Sequence, residues 1–212
     1  MNLLKETPKL ILPRGYISWS QLNCFLTSPA RFRKEYFENG PRLTSKYLTF
    51  GKNVHELIEN NKYKEILPDL IVYDTKELEI RCSVQGVPIL AFIDSYDPVK
   101  NVFRETKTGI VPWDKVRVIK HGQLPFYAVA LKHHTGKVPE YADLDWIETK
   151  EGKSEAPVDD FWRTNETELN ITGRLLSFHR EFDEREIEKM EELIVKTARE
   201  ISEAYINFLK EI

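Results

Sequence analysis

Between residues 76 and 107 the chain reads strand, turn, strand, turn, strand, and this run constrains the fold more than any other part of the sequence. KELEIRCSV alternates in strand fashion, Gln85-Gly86 is a turn signal, and VPILAFID is a compact apolar run. NVFRETK returns as a strand after a turn region at 97–101. If 87–94 and 102–107 pair as an antiparallel hairpin around a loop at 98–101, Asp97 faces Val102 and Asp94 faces Glu105. Directly opposed residues have Cβ atoms about 4.5–5.5 Å apart. Side chains alternate along a strand, so Glu105 and Lys107 share a face and the three polar groups converge. Facing carboxylates destabilise a strand pair unless something neutralises them. Lys107 alone can do so, which leaves a solvated charged hairpin on an unrelated α/β protein. A divalent cation would do it better, because hard cations prefer carboxylate oxygens.

The flanking segments supply further candidates. Ser18 and Gln21 fit an S-x-x-Q capping box at the start of a helix, and Pro29 starts a second one over ARFRKEYFE. A third helix is expected over FGKNVHELIENNKY, opened by Gly51 and buried through Val54, Leu57 and Ile58. It carries His55 four residues before Glu59. HGQLPFYAVALKHH reads as a helix with Pro125 in its first turn, so Gln123 and Tyr127, at i and i+4, project from one face. DLDWIETKEG and TELNITGRLLSFHREF are strand candidates. From Glu184 a long amphipathic helix turns Ile187, Met190, Leu193, Ile194, Thr197, Ile201, Tyr205 and Phe208 inward. Residues 1–16, with two prolines and little periodicity, read as an arm, and 17–212 as a single mixed α/β domain.

A net charge of −3 announces no polyanion partner, so a nucleic-acid enzyme of this composition needs a local basic groove. Its candidates are Arg31, Arg33 and Lys34, then Lys115, Arg117 and Lys120, then Lys132 and Lys137. Two cysteines are too few for a disulfide scaffold or a four-cysteine metal site. No apolar run reaches transmembrane length and the N-terminus lacks a signal-peptide core, so a cytoplasmic protein without a membrane partner is expected.

Taken in order, these pieces resemble the PD-(D/E)XK nuclease superfamily, in particular its RecB-like branch. SWSQLNCFLTSPARFRKEY looks like that branch's first motif, FGKNVHELIE like its Gly-x-x-x-His motif, and AFID followed by ETK like its core Asp…Glu-x-Lys. GQLPFYAVAL resembles its Gln-x-x-x-Tyr motif. Many members with this motif order carry four cysteines that bind an iron–sulfur cluster. Ser28 stands where the first would be, so no such cluster is expected.

The resemblance implies a restriction-endonuclease-like core, a central mixed sheet flanked by helices, and a metal-dependent deoxyribonuclease. The expected activity is that of an exonuclease in DNA repair, recombination or phage DNA processing, with a helicase or recombination protein as a conceivable companion. The alternative is an inactive module that binds nucleic acid or a partner protein. Asp94 and Glu105 would be the main metal ligands, His55 an additional one, and the Thr106 carbonyl a further one; Glu59 would serve a second metal. Lys107 would orient the attacking water and stabilise developing charge, with Gln123 and Tyr127 positioning the strand or bracing the site. Arg31, Arg33, Lys115, Arg117 and Lys120 would contact phosphates, and Trp19, Trp113, Phe126 and Tyr127 would stack on bases. Carboxylates suit Mg²⁺ and Mn²⁺, and an imidazole ligand shifts the preference towards Mn²⁺.

Overall fold

The computed structural model describes residues 10–152 and 169–212. Strands β1 (Thr75–Val84), β2 (Val87–Asp97), β3 (Val102–Gly109), β4 (Tyr141–Glu151) and β5 (Leu169–Glu181) form one sheet in sequence order. All neighbours are antiparallel except β3 and β4. A parallel pair needs a crossover. Here the crossover contains helices α4 (Lys115–Ile119) and α5 (Gln123–Thr135). The Gln85-Gly86 turn has positive φ at both positions (48° and 86°), which suits the right-handed twist of a tight hairpin. The second hairpin has the expected register, with Asp97 opposite Val102 and Ser95 opposite Arg104.

Most of the longer helices begin where a short polar side chain caps them. Ser18 accepts from the Gln21 amide at the start of α1 (Trp19–Thr27). Pro29 opens α2 (Pro29–Phe32), which runs into a π-helical turn at Arg33–Phe37. Helix α3 (Lys46–Glu59) starts earlier than the sequence suggests, because Ser45 accepts from the Leu48 amide and caps it. Gly51 therefore lies inside α3 and serves close approach: a Cβ there would stand 3.2 Å from Thr108 Oγ1 on β3. Helix α6 (Glu184–Glu211) is capped by Asp183 and buries Ile187, Met190, Ile194, Thr197, Ile201 and Phe208, with Leu193 and Tyr205 partly buried.

The main core lies between the sheet and helices α1, α5 and α6, where residues 124–131 of α5 are buried without a break. A smaller cluster under α3 joins Phe50, Val54 and Ile58 to Leu67, Ile147 and Leu169. Of the expected arm, residues 1–9 lie outside the described residues. The rest is docked, with Leu12 buried and the Ile11 amide donating to Ser202 Oγ, and just beyond the arm Ile17 bridges Ile89 of β2. Across β3, β4 and β5 runs a buried polar network. Arg104 makes a two-pronged contact with Asp145 (2.7 and 2.8 Å) and also donates to Asp143 (2.7 Å) and Ser177 (3.0 Å). No helix among the described residues is long and apolar enough to cross a membrane.

Candidate metal centre

The ladder between β2 and β3 stops at Ser95–Arg104, one residue short of Asp94 and Glu105. Beyond it the Asp94 side chain takes the place of a backbone acceptor, with Oδ2 receiving the Thr106 amide at 2.7 Å. On its other side Asp94 faces β1. The pairs Lys76–Ser95 and Leu78–Ile93 bracket Glu77 and Asp94, which are left opposite each other. Glu77 has a φ of 46°, in the region where a non-glycine side chain is strained. Three carboxylates from three adjacent strands thus stand in a row.

Helix α3 brings His55 to this row. Its Nδ1 lies 3.5 Å from Asp94 Oδ1 and 3.9 Å from Glu77 Oε1. His55, Glu77 and Asp94 offer ligand atoms all within 4.8 Å of one another. His55 and Glu77 border a cavity of about 600 Å³ whose walls include Tyr47, Lys52, Glu59 and residues 106–108. Glu59 lies on that wall, outside the three-residue cluster.

Glu105 is nearly fully buried, at 2% exposure. Its Oε1 accepts from Lys107 Nζ at 2.5 Å, while its Oε2 is buried with no hydrogen-bond partner among the described residues. An orphaned carboxylate oxygen in the interior carries a desolvation cost that a bound cation would remove. The charges show the same deficit. Burial, and then the neighbouring Glu105, push the Asp94 carboxyl well above the usual carboxylate range against the pull of His55 and Lys107. For His55, burial favours the neutral ring, but Asp94, a bond to Glu77 and the charge of Glu105 outweigh it and lift the pKa to about 9. Carboxylates, an imidazole and an unfilled acceptor fit a divalent cation of the magnesium–manganese class.

Lys107 reaches across to α5, where Gln123 Oε1 accepts from its Nζ at 2.8 Å. Gln123 Nε2 in turn donates to Tyr127 Oη at 2.7 Å, as the i, i+4 spacing predicts. Burial disfavours the Lys107 ammonium, but Glu105 and Asp94 more than compensate, so its pKa is raised. Burial and the same two carboxylates hold Tyr127 as a phenol. His55, Asp94, Glu105, Thr106, Lys107, Gln123 and Tyr127 therefore meet in one place.

The basic candidates are dispersed. Lys115, Arg117 and Lys120 lie exposed on and just after α4, with Arg117 over the Trp113 ring at 4.2 Å. Arg31 is bound to Glu35, while Arg33 holds Glu38 and Glu211 and covers the Phe208 ring. The expected base stacking fails for Phe126 and Tyr127, which are 0% and 7% exposed because α5 is the central core helix. Two residues at the site escaped the sequence reading: Glu77, and His121, whose Nε2 is 3.2 Å from Gln123 Oε1.

No protein-family model matches the sequence, and no curated protein matches it either. Solved structures do. A candidate exonuclease from Eubacterium rectale superposes with a TM-score of 0.53 at 14% identity, covering 91% of this chain and 83% of that one. The alkaline exonuclease LHK-Exo from Laribacter hongkongensis gives a TM-score of 0.51 at 17% identity, covering 93% and 92%. Likeness at such identities speaks for the fold alone: this chain shares the α/β architecture of those two exonuclease structures, a mixed five-stranded sheet flanked by helices.

Proposed function

We propose that this chain is a divalent-metal-dependent deoxyribonuclease of the RecB-like branch, acting as an exonuclease, with residues 17–212 as its single catalytic domain. The observation that carries the reading is the cluster of His55, Glu77 and Asp94, with the orphaned Glu105 Oε2 on the strand next to Asp94 and Lys107 tethered to Glu105. The fold neighbours that are described as exonucleases support it.

His55, Asp94, Glu105 and the Thr106 carbonyl would hold the cation, and Glu77 adds a ligand outside the family pattern. When bound, a divalent cation supplies Lewis-acid stabilisation of phosphoryl oxygens and a more acidic water. The chain's own groups do the rest. Lys107 keeps its proton, so it acts as a fixed positive charge that orients the water and meets developing negative charge. Glu105 Oε1 and Gln123 Oε1 hold two of its three hydrogens, leaving one to point into the site. Tyr127 anchors Gln123 from the core side. Lys115, Arg117 and Lys120 lie exposed in the segment between Lys107 and Gln123 and would contact phosphates of the substrate. Arg31 and Arg33, already bound to carboxylates, would contribute less.

The test offers linear and closed-circular DNA to the purified protein with Mn²⁺, Mg²⁺ or EDTA. Cleavage of linear DNA that needs a divalent ion, spares circles and disappears in Lys107→Ala and Asp94→Asn is expected. Cleavage surviving both substitutions would refute the site. Salt-sensitive DNA binding without cleavage would identify an inactive binding module.

A further inference from the structure

Behind Lys107 and Gln123 stands an imidazole with a defined proton. His121 Nε2 lies 3.2 Å from Gln123 Oε1, the same oxygen that accepts from Lys107 Nζ at 2.8 Å. A carboxamide oxygen only accepts, so in this contact Nε2 carries the hydrogen. Burial above all, then the positive charges of Lys107 on β3, Arg180 on β5 and Arg117 on α4, push the His121 pKa down to about 4 despite the bond to Gln123. The ring is therefore neutral near pH 7, protonated on Nε2 and bare on Nδ1.

Its orientation is set by aromatic edges. Trp113 meets it at 4.8 Å and 83°, and Trp19 at 6.2 Å and 77°. The next residue must be glycine for Trp19 to sit there, since a Cβ on Gly122 would lie 2.3 Å from Trp19 Cη2. The carboxamide of Gln123 is nearly symmetric in shape, and a half-turn would set its NH₂ group against the Lys107 ammonium, donor facing donor. Two donors aimed at Oε1 and an acceptor at Tyr127 Oη leave one orientation satisfied.

We propose that His121 is a positioning residue. As an uncharged donor it clamps the Gln123 carboxamide with its oxygen towards Lys107 and so fixes the ammonium in the site. Its role in turnover rests on the nuclease reading above, whereas the clamp itself does not. A cation at this place would repel Lys107, which explains why the donor is an imidazole held neutral.

The test pairs His121→Leu, which removes the donor, with His121→Gln, which keeps a side-chain N–H. In wild-type protein labelled with ¹⁵N-histidine, NMR between pH 5 and 8 reads the tautomer without any turnover. The neutral Nε2–H form is expected throughout, and the cation or the Nδ1–H form would overturn the proposal. With Mn²⁺ and linear DNA, His121→Leu is expected to lower kcat about tenfold to a hundredfold, the loss of one hydrogen bond in a charged network, with KM and Mn²⁺ affinity unchanged. His121→Gln should return to within about threefold of wild type. Equal losses in both variants, or none in His121→Leu, would overturn the proposal. Absence of cleavage by wild type would instead refute the nuclease, and the tautomer would then decide the clamp.

Discussion

Replacing Asp94 by Asn tests whether the carboxylate row is there for function or for the fold. In the metal-free protein the ionised Asp94 is held at a cost, because burial and Glu105 raise its pKa. Each unit of rise is about 1.4 kcal/mol, and a buried carboxylate beside a like charge rises by two units or more, so the cost is about 3 kcal/mol. Asn keeps the shape and an acceptor for the Thr106 amide, but its NH₂ group then faces the protonated His55 ring, donor against donor, at a cost of about 1 kcal/mol. Asp94→Asn should therefore be more stable than wild type by about 2 kcal/mol in EDTA, a rise in Tm of about 4–8 °C for a chain of this size. The sign follows from linkage. The folded pKa lies above the unfolded one, so stability falls as pH rises from about 4 through the raised value, and the advantage should vanish below pH 4. With Mn²⁺ at about a hundred times its Kd, wild type gains about 2.7 kcal/mol and Asp94→Asn gains little, so the order reverses. Thermal unfolding with and without Mn²⁺ at several pH values measures all of this. A variant less stable than wild type in EDTA, or one that gains as much from Mn²⁺, would refute the argument.

Other expectations follow from the same geometry. Lys107→Ala should cut cleavage by about a thousandfold while Mn²⁺ still binds in a calorimeter, because the lysine acts on charge rather than as a ligand. Mn²⁺ binding near pH 7.5 should release about one proton per ion, since His55 is held protonated up to about 9 and must lose its proton to ligate. Calorimetry in buffers of different ionisation enthalpy reads this, and no release would remove His55 from the ligand set. Glu77→Gly should relax the positive φ, raising stability in EDTA by about 1 kcal/mol while weakening Mn²⁺ binding. Weaker binding without the gain would mean the backbone there is unstrained. His121 has a folded pKa below its unfolded value, so it contributes stability that is present above about pH 6.5 and lost as pH falls towards 4. Urea unfolding of His121→Gln should show a shallower pH slope over that window.

Much of the centre was legible because its residues sit on regular elements. A period of two along a strand put Glu105 and Lys107 on one face, and a four-residue helical step put Gln123 beside Tyr127. Glu77 was legible in principle. The tight turn at Gln85-Gly86 pairs Val84 with Val87, and counting seven residues outwards from each lands on Glu77 and Asp94. Its place in an alternating strand made it look like one more solvated glutamate. His121 lies in the break between α4 and α5, where no periodicity applies, and its ring packs against Trp19, more than a hundred residues away in sequence. The start of α3 was misplaced because Gly51 resembles a helix boundary, whereas its lack of a side chain serves the contact with Thr108.

The Arg104 fork has a consequence for how the chain tolerates change. A parallel ladder is evenly spaced, so β3 sliding past β4 by two residues would keep every side chain on its face and still move Glu105 by about 7 Å. Arg104, the residue just before Glu105, is keyed into Asp145 and Asp143 and cannot make that slide without breaking its two-pronged contact with the buried Asp145. The candidate metal centre at one face of β3 is thus indexed from the other face. Substitutions at Asp145, on the next strand, would blur the placement of Glu105 as surely as substitutions beside it.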